Sequence, residues 1–148
     1  MGASEYVQND LSKLMESSNE LLIANGLFNE DGNTSLNITN NGELKRIEIG
    51  GGCFGNVREF ELDGLSELES VVIGHDSFRI GGNERSDGSC QIVNCPKLKS
   101  IQIGYQSFND YHSFELSNLP SLQSIDIGMY CFSYAPSFSL TGLIVGLV

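Results

Sequence analysis

Basic residues are scarce. Eight Lys and Arg stand against 19 Asp and Glu, a formal charge of −11. Affinity for nucleic acid rests largely on Lys and Arg displacing counterions from phosphates, so neither nucleic acid nor an anionic membrane is an expected partner. Long apolar runs are missing as well. The longest is Leu143 to Val148, far short of the roughly 20 residues that cross a bilayer, and no membrane insertion is expected. The opening Met1-Gly2-Ala3-Ser4-Glu5-Tyr6 has neither the basic nor the apolar stretch of a secretory signal, and Tyr6 stands where a myristoylation signal needs Ser or Thr. A cytoplasmic location is therefore the expectation. No G-x-S-x-G, P-loop or zinc-ligand spacing occurs, and the Gly51-Gly52-x-Phe54-Gly55 stretch resembles a dinucleotide loop only in its glycine count. These absences assign no catalytic residue, no metal and no cofactor, and the chain reads as a protein that is not an enzyme.

What is present is repetition. The 148 residues make about one domain, and within it Ile-Gly pairs recur at Ile49-Gly50, Ile73-Gly74, Ile103-Gly104 and Ile127-Gly128, at spacings of 24, 30 and 24. Units of 44–67, 68–97, 98–121 and 122–145 share the frame L-x-x-[IV]-x-I-G-x-x-[CS]-F followed by [FC]-x-[LI]-x-x-[LC], and the additional six residues fall in the segment 81–88. A worn unit over 18–43 precedes them, with Ile23-Ala24, Phe28 and Leu36-x-Ile38 in the matching places. Each unit alternates at period 2 in two runs, which predicts two short strands with Ile47/Ile49 and Phe60/Leu62, and their counterparts, pointing inward. Like positions then stack about 4.8 Å apart in parallel ladders. The expected fold is a β-rich solenoid, a right-handed coil because that is the usual hand of parallel crossovers. Before it, Val7, Leu11, Leu14 and Met15 fall on one helical face, and Ser4 suits an N-cap, so residues 4–17 are expected to form a helix capping the first core layer.

The strand frame L-x-x-[IV]-x-I, and above all the stretch N-C-P-K-L-K-S-I-Q-I-G-Y-Q-S-F from Asn94 to Phe108, resembles leucine-rich repeats of the surface-antigen (BspA-like) type, over about residues 36 to 143. Two features depart from that pattern. The ladder Asn is replaced by Gly52, Asp76, Gln106 and Tyr130, and the second half of each unit carries F-x-L in place of a helix. The resemblance implies protein recognition or cell-surface adhesion and brings no catalytic residues.

Candidate sites lie on the surface. The step after each Ile-Gly reads Gly51-Gly52, His75-Asp76, Tyr105-Gln106 and Met129-Tyr130; Tyr105, Met129 and Tyr130 are expected to form an exposed ridge, and such residues are enriched at interface centres. In the inserted segment, Asn83, Glu84, Arg85 and Asp87 are further partner-binding candidates, since insertions in repeats often lie on a binding face. His75 and Asp76 read as sequence neighbours only, and Glu59, Glu61, Asp63, Glu67 and Glu69 form an acidic cluster. The apolar tail, with Leu143, Ile144, Leu147 and Val148, is a candidate for self-association through an open final rung. The favoured function is protein–protein recognition by the solenoid surface. The alternatives are a structural subunit forming homo-oligomers through the C-terminal end, and a carbohydrate-binding β-solenoid. Cys53 and Cys131 share one repeat position three rungs apart, about 14 Å, too far for a bridge, while Cys90 and Cys95 stand in core slots. Denatured protein without reductant is accordingly expected to titrate four thiols; two or none would overturn this register.

Overall fold

A computed structural model describes residues 4–6, 19–80, 88–133 and 137–143. Its strands are β1 (Ser4–Tyr6), β2 (Glu20–Ile23), β3 (Ser35–Thr39), β4 (Arg46–Ile49), β5 (Glu59–Asp63), β6 (Ser70–Ile73), β7 (Ser89–Val93), β8 (Ser100–Ile103), β9 (Ser113–Leu119), β10 (Ser124–Ile127) and β11 (Ser137–Leu143). They form two parallel sheets, one ordered β1-β2-β4-β6-β8-β10 and the other β11-β9-β7-β5-β3. The chain is a parallel β-solenoid, and there is no helix among the described residues. Register follows the repeat: Leu21, Ile47, Val71, Ile101 and Ile125 align across the first sheet, and Leu36, Phe60, Cys90, Phe114 and Phe138 across the second. Alternation places the aligned aliphatic and aromatic residues of β2 to β9 in one shared core, with Ile125 of β10 packed against it.

Three columns of residues at the turn after the first strand explain why the repeat is written as it is. At Gly74, Gly104 and Gly128 a Cβ would stand 2.5–2.6 Å from a backbone nitrogen of the preceding rung, so only glycine allows the rungs to close to ladder spacing. Next comes a column of small polar side chains. Ser77 Oγ donates to the Gly50 carbonyl at 2.7 Å and accepts from the Cys53 N–H at 3.2 Å; Ser107 repeats this with Gly74 and Ser77. Cys53 and Cys131 Sγ make the same downward contact, to the carbonyls of Ala24 and Gly104, each at 3.1 Å. Buried backbone groups at the turn are thereby paired across rungs, which their burial demands. The third column is aromatic. Phe28, Phe54, Phe78, Phe108 and Phe132 stack in order with centroids 4.6–5.1 Å apart and ring planes within 12° of parallel.

All five of these phenylalanines have positive φ, between 52° and 63°. A bulky residue rarely takes that conformation, and here it lets two successive residues, such as Cys53 and Phe54, both face inward. A second left-handed column closes the other strand with Asn40, Gly64, Asn94 and Asn118, residue types that tolerate it. Its side chains are linked: Asn118 Nδ2 donates to Asn94 Oδ1 at 2.8 Å, and Asn94 Nδ2 to Asp63 Oδ1 at 2.9 Å.

One irregularity in the core is compensated from a distance. Cys90 is a small residue between Phe60 and Phe114 in its ladder. The Phe60 ring comes within 5.7 Å of Phe108, two rungs away. The buried Tyr111 packs edge-on against Phe108 and its phenol donates to the Val57 carbonyl, again two rungs away. Of the inserted segment 81–88, residues 81–87 lie outside the described residues.

The N-terminal expectation requires correction. Residues 4–6 are a strand, with Glu5 aligned to Leu22 and Tyr6 to Ile23, rather than the start of a helix. The helical face was read from Val7, Leu11, Leu14 and Met15, which lie outside the described residues. An edge strand offers unpaired N–H and C=O groups to any neighbouring segment, and β1 takes up those of β2.

The packing predicts contrasting mutational effects. Phe108→Ala removes the ring that touches Phe60, Phe78, Tyr111 and Phe132 and is expected to cost about 3–5 kcal/mol. Glu115→Ala, on the outward side of β9, should change stability by about 0.5 kcal/mol or less. Urea unfolding of the two variants gives the comparison, and equal losses would refute the inward assignment of Phe108.

Candidate binding surface

The outward residues of the first sheet form a column Leu22, Glu48, Val72, Gln102 and Asp126. Beside it runs the glycine column, and beyond that the edge residues Asn25, Gly51, His75, Tyr105 and Met129, which follow Ala24, Gly50, Gly74, Gly104 and Gly128. Between the two flanking columns, over the three lower rungs, a trough forms an open depression of about 520 Å³, lined by Leu22, Glu48 and Val72 on one side and by Asn25, Gly51 and His75 on the other. The repeat writes the glycines for backbone proximity.

The trough has an apolar and acidic lining. Leu22 and Val72 are half-buried where the upper rungs carry exposed Gln102 and Asp126. Between them, Glu48 pairs with Arg46, whose guanidinium also holds Glu20 at 2.8 Å. One guanidinium therefore contacts two carboxylates.

The edge column rises from the trough as a ridge. Tyr105 is 50% exposed, Met129 68% and Tyr130 59%, and these are the large exposed hydrophobics among the described residues. Tyr105 and Met129 occupy one column, and Tyr130 the adjacent left-handed column with Asp76 and Gln106. The ridge continues downward through His75, whose ring stacks on Tyr105 with centroids 5.6 Å apart and planes 20° from parallel. His75 and Asp76 do meet, Nδ1 to Oδ2 at 3.0 Å, which corrects their reading as neighbours in sequence only. Arg79 extends the polar border, with Nη1 3.4 Å from both Asp76 Oδ1 and Gln106 Oε1.

The remaining candidates fall into two groups. Asn83, Glu84, Arg85 and Asp87 lie outside the described residues, as do Ile144, Leu147 and Val148. The backbone of Leu143 pairs with Leu119 at the far end of the second sheet. Glu59, Glu61 and Asp63 are on β5, in that second sheet, and Glu67 is bridged by Lys97 at 2.9 Å. Sequence reasoning missed His75 and Arg79 as members of the ridge, and it missed the trough. The signal for the trough was the Ile-Gly pair itself, read as a strand end and not as a column without side chains.

Among the described residues no group of three or more His, Cys, Asp or Glu side chains is arranged to hold a metal ion, and no helix is long and apolar enough to cross a membrane. No protein-family model matches the chain, and no curated protein or solved structure matches it.

The titratable groups with clear shifts belong to the core. All four cysteines are free, and burial raises the pKa of Cys53, Cys90, Cys95 and Cys131 above the ordinary 9.0. Burial likewise pushes Tyr111 well above the ordinary 10.0. An unfolded chain ionises these groups near the ordinary values while the folded chain keeps them neutral, so unfolding releases protons in alkali and stability falls as pH rises. Well below pH 9 they are neutral in both states and add no slope. Denaturation midpoints are expected to drop above about pH 9, with a smaller drop for Tyr111→Phe; a midpoint flat to pH 11 would contradict the burial.

Proposed function

We propose that the chain is a non-catalytic recognition module that binds a protein partner through the outer face of its first sheet. The observation that carries this reading is the gathering of Tyr105, Met129 and Tyr130 at one edge of that face, each at least half exposed. Clustered exposed hydrophobics of this kind mark interaction sites, and aromatic residues and Met are enriched at interface centres. The ridge adjoins a concave trough, so an apolar anchor and a shaped recess lie side by side. The leucine-rich-repeat resemblance supports the same class of function, and the net charge favours a partner with basic character.

One observation favours a second reading, assembly with another copy. In β10, Ile125 and Ile127 are only partly buried, whereas their counterparts in β4, β6 and β8 are fully buried. An exposed rung edge is a template for pairing with another chain, and a second copy is the occupant this reading takes. Light scattering at tens of micromolar separates the readings, a monomer excluding assembly.

The recognition reading is tested by affinity capture from cell extract with wild-type chain and with the double variant Tyr105→Ser, Met129→Ser. Both side chains are exposed, so the variant should retain the wild-type melting temperature. A protein captured by the wild type and lost at least tenfold from the variant is the expected result, and equal capture overturns the reading.

A further inference from the structure

We propose that a hydroperoxide modifies this chain at the thioether of Met129, and that the sulfoxide formed there switches the ridge off. The switch rests on the recognition reading, whereas the choice of site stands without it. Four free thiols would ordinarily take such an oxidant first, because a thiolate is a far better nucleophile than a thioether. The fold withdraws them. Cys53, Cys90 and Cys95 are buried, and Cys131 is only partly open. Sγ of Cys53, Cys95 and Cys131 each faces a backbone carbonyl, that of Ala24 at 3.1 Å, of Val93 at 3.3 Å and of Gly104 at 3.1 Å. A thiol donates its proton to such an oxygen and a thiolate is repelled by it, so the contact holds each sulfur in its unreactive form. Cys90 stands between Phe60 and Phe114 in its ladder, fully buried, and burial pushes its pKa well above the ordinary value.

Met129 has the opposite setting. A thioether needs no ionisation to react, so exposure governs it, and Met129 is 68% exposed. Its sulfur attacks one peroxide oxygen: an S–O bond forms as the O–O bond breaks, and sulfur gives up two electrons. The other oxygen leaves as water or an alcohol, carrying the proton of the oxygen transferred. Of the other methionines, Met1 and Met15 lie outside the described residues. The product is a polar, chiral side chain in the middle of the ridge, with Tyr105 one rung below and Tyr130 next in the chain, both exposed. A partner that covers it must then desolvate a polar group with no assigned hydrogen bond, which weakens binding. The turn itself stays in place, because the Met129 carbonyl accepts from the Gln106 N–H at 2.9 Å and the Gly128 N–H donates to the Ile103 carbonyl at 2.8 Å. Reductases return sulfoxides to thioethers, so the change is reversible.

The test incubates the folded chain with hydrogen peroxide and a metal chelator at neutral pH, quenches with catalase, and maps the sites by mass spectrometry of its peptides. One added oxygen on Met129 is expected to appear at least fivefold faster than oxidation of any of the four cysteines, with an unchanged melting temperature. In urea the order should reverse, the freed thiols leading. A cysteine oxidised ahead of Met129 in the folded chain, or the same order in both states, overturns the site. The switch is read by affinity capture with the oxidised chain, with the same sample after methionine sulfoxide reductase, and with Met129→Leu taken through the peroxide step beside its own untreated sample. Capture is expected to fall at least tenfold on oxidation, to return on reduction, and to be unaffected by peroxide in Met129→Leu, which keeps an apolar ridge and retains Met1 and Met15. Unchanged capture by the oxidised chain, or an equal loss in Met129→Leu, overturns the switch. The recognition reading is judged separately, by the Tyr105 and Met129 double variant with no oxidant present.

Discussion

Everything in this chain depends on the parallel ladder and the spacing it imposes, about 4.8 Å between like backbones. A rung can hydrogen-bond to its neighbour along two strands only if it repeats the neighbour's path, including the difficult parts. That is why the left-handed conformation at Phe54 is repeated at Phe28, Phe78, Phe108 and Phe132. Holding a bulky residue there costs about 1–3 kcal/mol, and the surrounding structure must over-determine it. The continuous ring stack and the Ser/Cys column do so, since both are satisfied only when the turn takes this shape.

Much of the architecture was legible in the sequence because period 2 and period 24 are both short-range signals. Ile47/Ile49 and Phe60/Leu62 announced two strands, and the Ile-Gly spacing set their stacking. What was not legible was conformation inside the turn. Nothing local to Cys53-Phe54 shows that both side chains go inward, since the pair is explained by a backbone angle that neither residue prefers. The three residues of β1 failed for a different reason. Helical periodicity from Val7 to Met15 was extended back over Ser4–Tyr6, whereas the edge of β2 offered backbone partners that an isolated helix could not replace. Periodicity reports which side chains want burial, and it is blind to an unpaired strand edge.

The surface obeys looser rules than the core, and this is where function has room to be written. The outward column Leu22, Glu48, Val72, Gln102 and Asp126 changes character at every rung, as does Asn25, Gly51, His75, Tyr105 and Met129, while the glycine column between Gly50 and Gly128 does not change at all. The recess over the lower rungs is thus framed by two variable rails. From sequence alone the ridge could be anticipated at Tyr105, Met129 and Tyr130 because these residues stand out chemically. The trough could not, because its lining residues come from three different rungs and only their stacking turns them into a shape.

The hydrogen bond from the Tyr111 phenol to the Val57 carbonyl has a consequence for how the molecule comes apart. In a coil where each rung touches only its neighbours, unravelling can proceed one turn at a time from either end. Tyr111 reaches past the rung of Cys90, and the Phe60 ring leans the same way toward Phe108, so three rungs are clasped as one body. Peeling under load should therefore slip easily through β10 and β11 and then halt, until this central block, β4 through β9, gives way in a single step.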